Sequence, residues 1–124
     1  MAPLQRPLAA PVMIFDLAPR LRELREDSSY ERSGRLGLTL AKHGRLRLTL
    51  VALDAGIEIG THHADSPMTI QLLEGALSFR VDGEEHRLRQ GQVVCFGPGE
   101  AHDIRADEES ALLLTLTTGG DAAS

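Results

Sequence analysis

The sequence predicts an all-β domain, an antiparallel sandwich or barrel, preceded by one short N-terminal helix. Three observations carry this. From Arg35 onward apolar residues recur at every second position, the period of a half-buried strand. Gly, Asp and Pro signals break these runs roughly every 8–12 residues, the rhythm of hairpin-connected strands. No helix-period segment alternates with the strands, which disfavours a parallel α/β sheet. A length of 124 residues fits a single domain.

The elements follow in order. Residues 1–11 are rich in Pro and Ala and read as an extended lead. Asp16 is placed to cap a helix in which Leu17, Leu21 and Leu24 share one face, with Arg20, Arg22, Glu23, Arg25 and Glu26 on the wet side. That helix is expected to end near Asp27-Ser28-Ser29. Leu36, Leu38 and Leu40, then Leu46, Leu48 and Leu50, flank Lys42-His43-Gly44 and read as a hairpin. Ile57 and Ile59, Ile70 to Leu73, Leu77 to Val81, His86 to Leu88, Val93 to Phe96 and Ala111 to Leu116 supply further strands. The expected organisation is an extension and helix over 1–34, a β-domain over 35–118 and a tail over 119–124.

Thirteen Lys and Arg against eighteen Asp and Glu leave a net charge of −5. An acidic surface is not drawn to nucleic acid or to anionic membranes. The lack of Trp, with one Tyr and three Phe, argues against a base-stacking platform. Cys95 is the single cysteine, so no intramolecular disulfide forms and zinc-finger spacing is absent. With no signal-peptide pattern and no apolar run near the ~20 residues of a membrane helix, the expected location is the cytoplasm. Phosphate-cradling glycine loops, H-E-x-x-H and G-x-S-x-G are all missing.

Two segments carry more than periodicity: Gly60 to Gly75, and Gly91 to His102. Together they resemble the paired motifs of the cupin superfamily, H-x-H-x3-E-x6-G and G-x5-P-x-G-x2-H-x3-N, over about residues 35–117. His62 falls on the first metal-ligand histidine of that pattern and His102 on the last, while Gly75, Gly91 and Gly99 match. Ala64 replaces the second histidine, Met68 the glutamate and Ala106 the terminal asparagine; Gly97 stands where proline is usual, with Pro98 after it. The resemblance implies a small jelly-roll β-barrel, a small-molecule ligand, a homodimer and, where the ligand set is whole, a divalent metal such as Fe, Mn, Ni or Zn.

The departures weigh on the chemistry. An open metal site needs three or more converging N or O donors. Ala64 has none, and the thioether of Met68 suits hard divalent ions poorly. His63 neighbours His62 on an extended segment and turns to the same side only if that segment is irregular. Two function classes follow. One is a non-catalytic binding or sensing barrel whose apolar pocket is built from Met68 and Ile70 beside His62 and His102, with Gln71 contributing if the register turns it inward. The other is a metal-dependent oxygenase or isomerase using His62 and His102, with His63, Gln71 or ligand atoms completing the coordination.

Plainer readings stand beside these. His62 and His102 also fit a hydrogen-bonded pair inside an inert barrel. A purely structural dimerisation module is a further option. His43 and His86 read as solvated, and Cys95 as a small buried hydrophobe. Arg45, Arg47, Arg80, Arg87 and Arg89 read as the wet side of alternating strands, or as a surface for an anionic ligand. The Leu-rich hairpin offers an apolar face to a second copy, and the helix either covers the barrel or crosses to that partner. An edge near residues 35–41 otherwise needs protection.

Overall fold

The computed structural model describes residues 8–63, 67–97 and 101–117, with 60–63 and 101–102 described by their backbone alone. Ala64, Pro98, Gly99, Glu100 and the tail over 119–124 lie outside the described residues. Two helices, α1 (Leu17–Glu26) and α2 (Ser28–Ser33), precede nine strands. These are β1 (Arg35–His43), β2 (Leu46–Leu53), β3 (Glu58–His63), β4 (Met68–Glu74), β5 (Ala76–Val81), β6 (Glu84–Arg89), β7 (Val93–Phe96), β8 (Ala101–Ala106) and β9 (Ser110–Thr117). Among the described residues no helix is long and apolar enough to cross a membrane.

The expectation of one helix is corrected to two, and Asp27 is the reason. Its backbone N–H donates to Leu24 O at 3.2 Å and closes α1. Its carboxylate accepts from Ser29 N at 2.8 Å and opens α2. Polar residues that read as a terminator are therefore also an initiator. Gly34 ends α2 in the left-handed region at φ 78°, which glycine adopts without steric cost. Asp16 does stand at the N-cap of α1, but its side chain makes no capping hydrogen bond.

The strands form a five-stranded sheet in the order β1-β2-β9-β4-β7 and a four-stranded sheet in the order β3-β8-β5-β6. Every ladder is antiparallel. Their inner faces meet over one core, to which Leu53, Ile70 and Leu72 contribute from the larger sheet and Leu77, Phe79 and Ile104 from the smaller. No ladder joins the two sheets among the described residues, so the observed architecture is a two-sheet sandwich.

A second core lies on the outer face of the larger sheet. Leu21, Leu24 and Tyr30 of the helices pack there against Leu40, Leu50 and Ala111. Strand β2 is thus apolar on both sides, with Val51 and Leu53 inward and Leu50 and Ala52 toward the helices. The Leu36–Leu38 and Leu48–Leu50 alternation belongs to the helix side. This corrects the expectation that the hairpin's leucines are offered to a second copy: the chain covers that face with its own helices. Arg25 pins the layer through Glu74 at 3.0 Å and Glu109 at 3.6 Å.

One end of the sandwich is sealed. Between β4 and β5 the chain turns at Gly75, with φ 95°. A Cβ there would collide with Ser110 Oγ and the Glu109 carbonyl. Ser110 is fully buried; its hydroxyl accepts from Ala76 N at 3.2 Å and donates to Glu108 O at 2.8 Å.

Candidate functional site

The opposite end carries the sequence-predicted residues, and backbone register defines it. In the four-stranded sheet His62 pairs with His102, His102 with Val81, and Val81 with Glu84, so these four occupy one row. In the five-stranded sheet Arg47 pairs with Leu116, Leu116 with Met68, and Met68 with Phe96, making a second row. The two rows lie at the same end, because four residues connect β3 to β4 and four connect β7 to β8.

A bulge sets the histidine pair. Ile59 pairs with Ile104, and the register shifts before His62 meets His102. The extra residue on β3 therefore reverses its alternation, and bulges commonly re-aim strands in this way. His62 thereby takes the register position across from His102, while His63 lies across from Ala101.

The larger sheet supplies an apolar wall. Met68 is 6% exposed and Ile70 1%, both on the inner face with Leu72 and Phe96. Gln71 is exposed on the other face, so the register that would have turned it inward is not adopted. Its neighbours explain this: burial alternates strictly through Met68, Ile70 and Leu72, and a slip would expose all three.

His86 is exposed, as expected. It pairs with Phe79, and one face of its ring stacks on that buried phenylalanine at 5.2 Å between centroids and 19° between planes. Phe79 meets Phe96 edge-on at 5.4 Å, which links the stack to the interior. Cys95 is exposed rather than buried, because Val94 and Phe96 take the inward positions of β7.

The arginines divide. Arg45, Arg80, Arg87 and Arg89 are exposed, as the wet-side reading expects. Arg47 is half-buried, and its Nε is shielded from solvent without a hydrogen-bond partner among the described residues.

Comparison with known proteins decides the family. A family model described as "Cupin domain" matches residues 49–118, more than half of the chain. The chain belongs to the cupin family.

Solved structures agree with that assignment. This cupin is similar to a conserved protein of unknown function, SPY1581, from Streptococcus pyogenes, with 28% identity and a TM-score of 0.66 over 73% of this chain and 79% of that one. It is similar to KdgF from Halomonas sp., at 22% identity and a TM-score of 0.64 over 73% and 86% of the two chains. It is also similar to salicylate 1,2-dioxygenase from Pseudoaminobacter salicylatoxidans, at 20% identity and a TM-score of 0.77, covering 93% of this chain but 36% of that enzyme. At these last two identities the likeness is one of fold. No curated protein matches the sequence.

Whether this cupin's residues suit a metal turns on its donor set. His62 and His102 offer two imidazoles at one opposed register position, with His63 at the next. At the position where the family pattern has a carboxylate, Met68 is packed among the core side chains. Among the described residues, which exclude the side chains of His62, His63 and His102, no group of three or more His, Cys, Asp or Glu could hold a metal ion. An open catalytic site needs three or more donors, so beyond the opposed pair a metal there would require His63 or another donor.

Proposed function

We propose that this cupin is a non-catalytic small-molecule-binding or sensing domain, whose ligand enters between the sheets at the His62–His102 end. The observation that carries the reading is the pairing of those two histidines at the end of an interior walled by Met68, Ile70 and Phe96. An apolar space with a few converging polar groups is the usual form of a small-molecule site. The two sheet orders support the family's jelly-roll arrangement as the frame around it. We further infer a homodimer, supported by the exposed Val12 and Ile14 beside the edge strand β1. Its location is inferred to be cytoplasmic.

A second reading is a metal-dependent oxygenase or isomerase holding Fe, Mn, Ni or Zn through His62, His63 and His102. Retention of His62 and His102 as opposed partners favours it; the missing carboxylate at Met68 weighs against it. Elemental mass spectrometry on untagged protein, beside His62→Ala and His102→Ala, separates the two. Protein that stays empty after incubation with each metal supports binding alone. Near-stoichiometric metal, lost in both variants, overturns that reading and opens oxygen-consumption and isomerase assays.

A further inference from the structure

Resting on the reading of the interior as a small-molecule site, we propose that its ligand is an organic acid whose carboxylate is held by Arg47, with Lys42 beside it. Strand β2 pairs with β9 over its whole length without a register shift. Arg47, Thr49, Val51 and Leu53 therefore share one face, and Val51 and Leu53 belong to the interior core. Arg47 also shares its row with Leu116, Met68 and Phe96, at the end where His62 meets His102.

Two features of this position call for an anion. The Nε of Arg47 is buried with no acceptor among the described residues, and an unmet charged donor carries the full cost of its lost hydration. Lys42 stands directly opposite Arg47 on β1, and like charges so placed repel. Among the described residues neither side chain forms an ion pair. On the same row of the facing sheet the acidic residue is Glu84, on the edge strand β6. Glu84 is 82% exposed and lies 3.7 Å from His86, not beside Arg47.

The ligand's chemistry follows from the row. A guanidinium presents parallel N–H donors that match the two oxygens of a carboxylate. Next along the sheet come Leu116, Met68 and Phe96, which suit an apolar body attached to that carboxylate. Lys42 adds a second, more mobile charge at the rim.

The test compares sodium benzoate and sodium hexanoate with benzamide and hexanamide at constant ionic strength. Binding is read by calorimetry and by the methyl resonance of Met68 in methionine-labelled protein. The acids are expected to bind at least about tenfold more tightly than the amides, the equivalent of one charge-assisted contact. Arg47→Gln should remove that advantage while leaving the amides unchanged, and Lys42→Gln should remove part of it. Arg47→Met should raise the melting temperature of the ligand-free protein, since it deletes an unmet donor; a merely structural arginine would lower it.

Equal affinity for acid and amide, no binding by either acid, or an unaffected Arg47→Gln overturns the proposal. So does a lowered melting temperature in Arg47→Met. If the Met68 methyl shifts with acids and amides at the same ligand concentrations, the interior site stands and the carboxylate assignment fails. If binding requires Arg47 but leaves the Met68 methyl unmoved, the carboxylate contact stands and the interior reading fails.

Discussion

Met68 shows how one side chain redirects a site. The family pattern places a carboxylate here, and this chain places a thioether that is 6% exposed among apolar neighbours. Restoring the acid by Met68→Glu buries a group with no partner and is expected to cost about 2–4 kcal/mol. Met68→Leu keeps the volume and should cost under about 1.5 kcal/mol. Urea unfolding of the two variants checks this, and equal losses would mean the position is wetter than its burial indicates. Gly75 is a second position where a small change is large. Gly75→Ala forces a Cβ into Ser110 and Glu109 at a left-handed φ of 95°. Left-handed strain alone is about 1–2 kcal/mol, so a total near 3 kcal/mol is expected from the same unfolding measurement. Both residues were legible as motif positions. Arg47 was not, because alternation gives two faces and does not say which of them is dry.

At the scale of elements, period-two alternation placed the strands because a half-buried strand must alternate. It did not reveal that β2 is buried on both faces, since leucines toward helices and leucines toward an interior look alike. The second helix escaped for a different reason: Asp27 and its serines serve one helix end and the next helix start together. Asp27→Ala is therefore expected to cost about 1 kcal/mol, whereas Asp16→Ala, with no capping bond to lose, should be near neutral. Chemical denaturation followed by circular dichroism distinguishes them. The same layer responds to alkali through Tyr30. Burial, and then the Glu109 carboxylate at 3.3 Å, hold its phenol above the ordinary value of 10.0. A raised folded-state value means the native protein keeps the proton longer than the unfolded chain. Tyr30 thus contributes stability that is whole below pH 10.0 and falls as pH rises through the folded value. Tyr30→Phe should flatten that alkaline decline, measured as melting temperature against pH.

For the whole molecule, the helix layer changes where a partner can dock. With the outer face of the larger sheet covered, the apolar surface left beside β1 is the margin carrying Val12, 77% exposed, and Ile14, 90% exposed. These residues line a groove of about 1080 Å³ with Leu8, Phe15 and Leu38. Leu8 is tied to the strand edge, where its carbonyl accepts from Lys42 N at 2.8 Å. A two-fold related copy would set the same margin against itself, giving each Val12 and Ile14 an apolar neighbour. The groove contains Arg20 alongside Glu23 and Asp16, so each copy brings a cation that can face an acid of the other. Sedimentation equilibrium is expected to show a dimer. Val12→Asp with Ile14→Asp should weaken it at least about tenfold, as two unmet charges in an apolar contact cost more than 1.4 kcal/mol. The fold should survive this change, because neither side chain belongs to a core. A wild-type chain that stays monomeric at high concentration removes the dimer. A dimer indifferent to the double variant moves the contact elsewhere, and the exposed β7 margin with Val93 and Cys95 becomes the surface to mutate next.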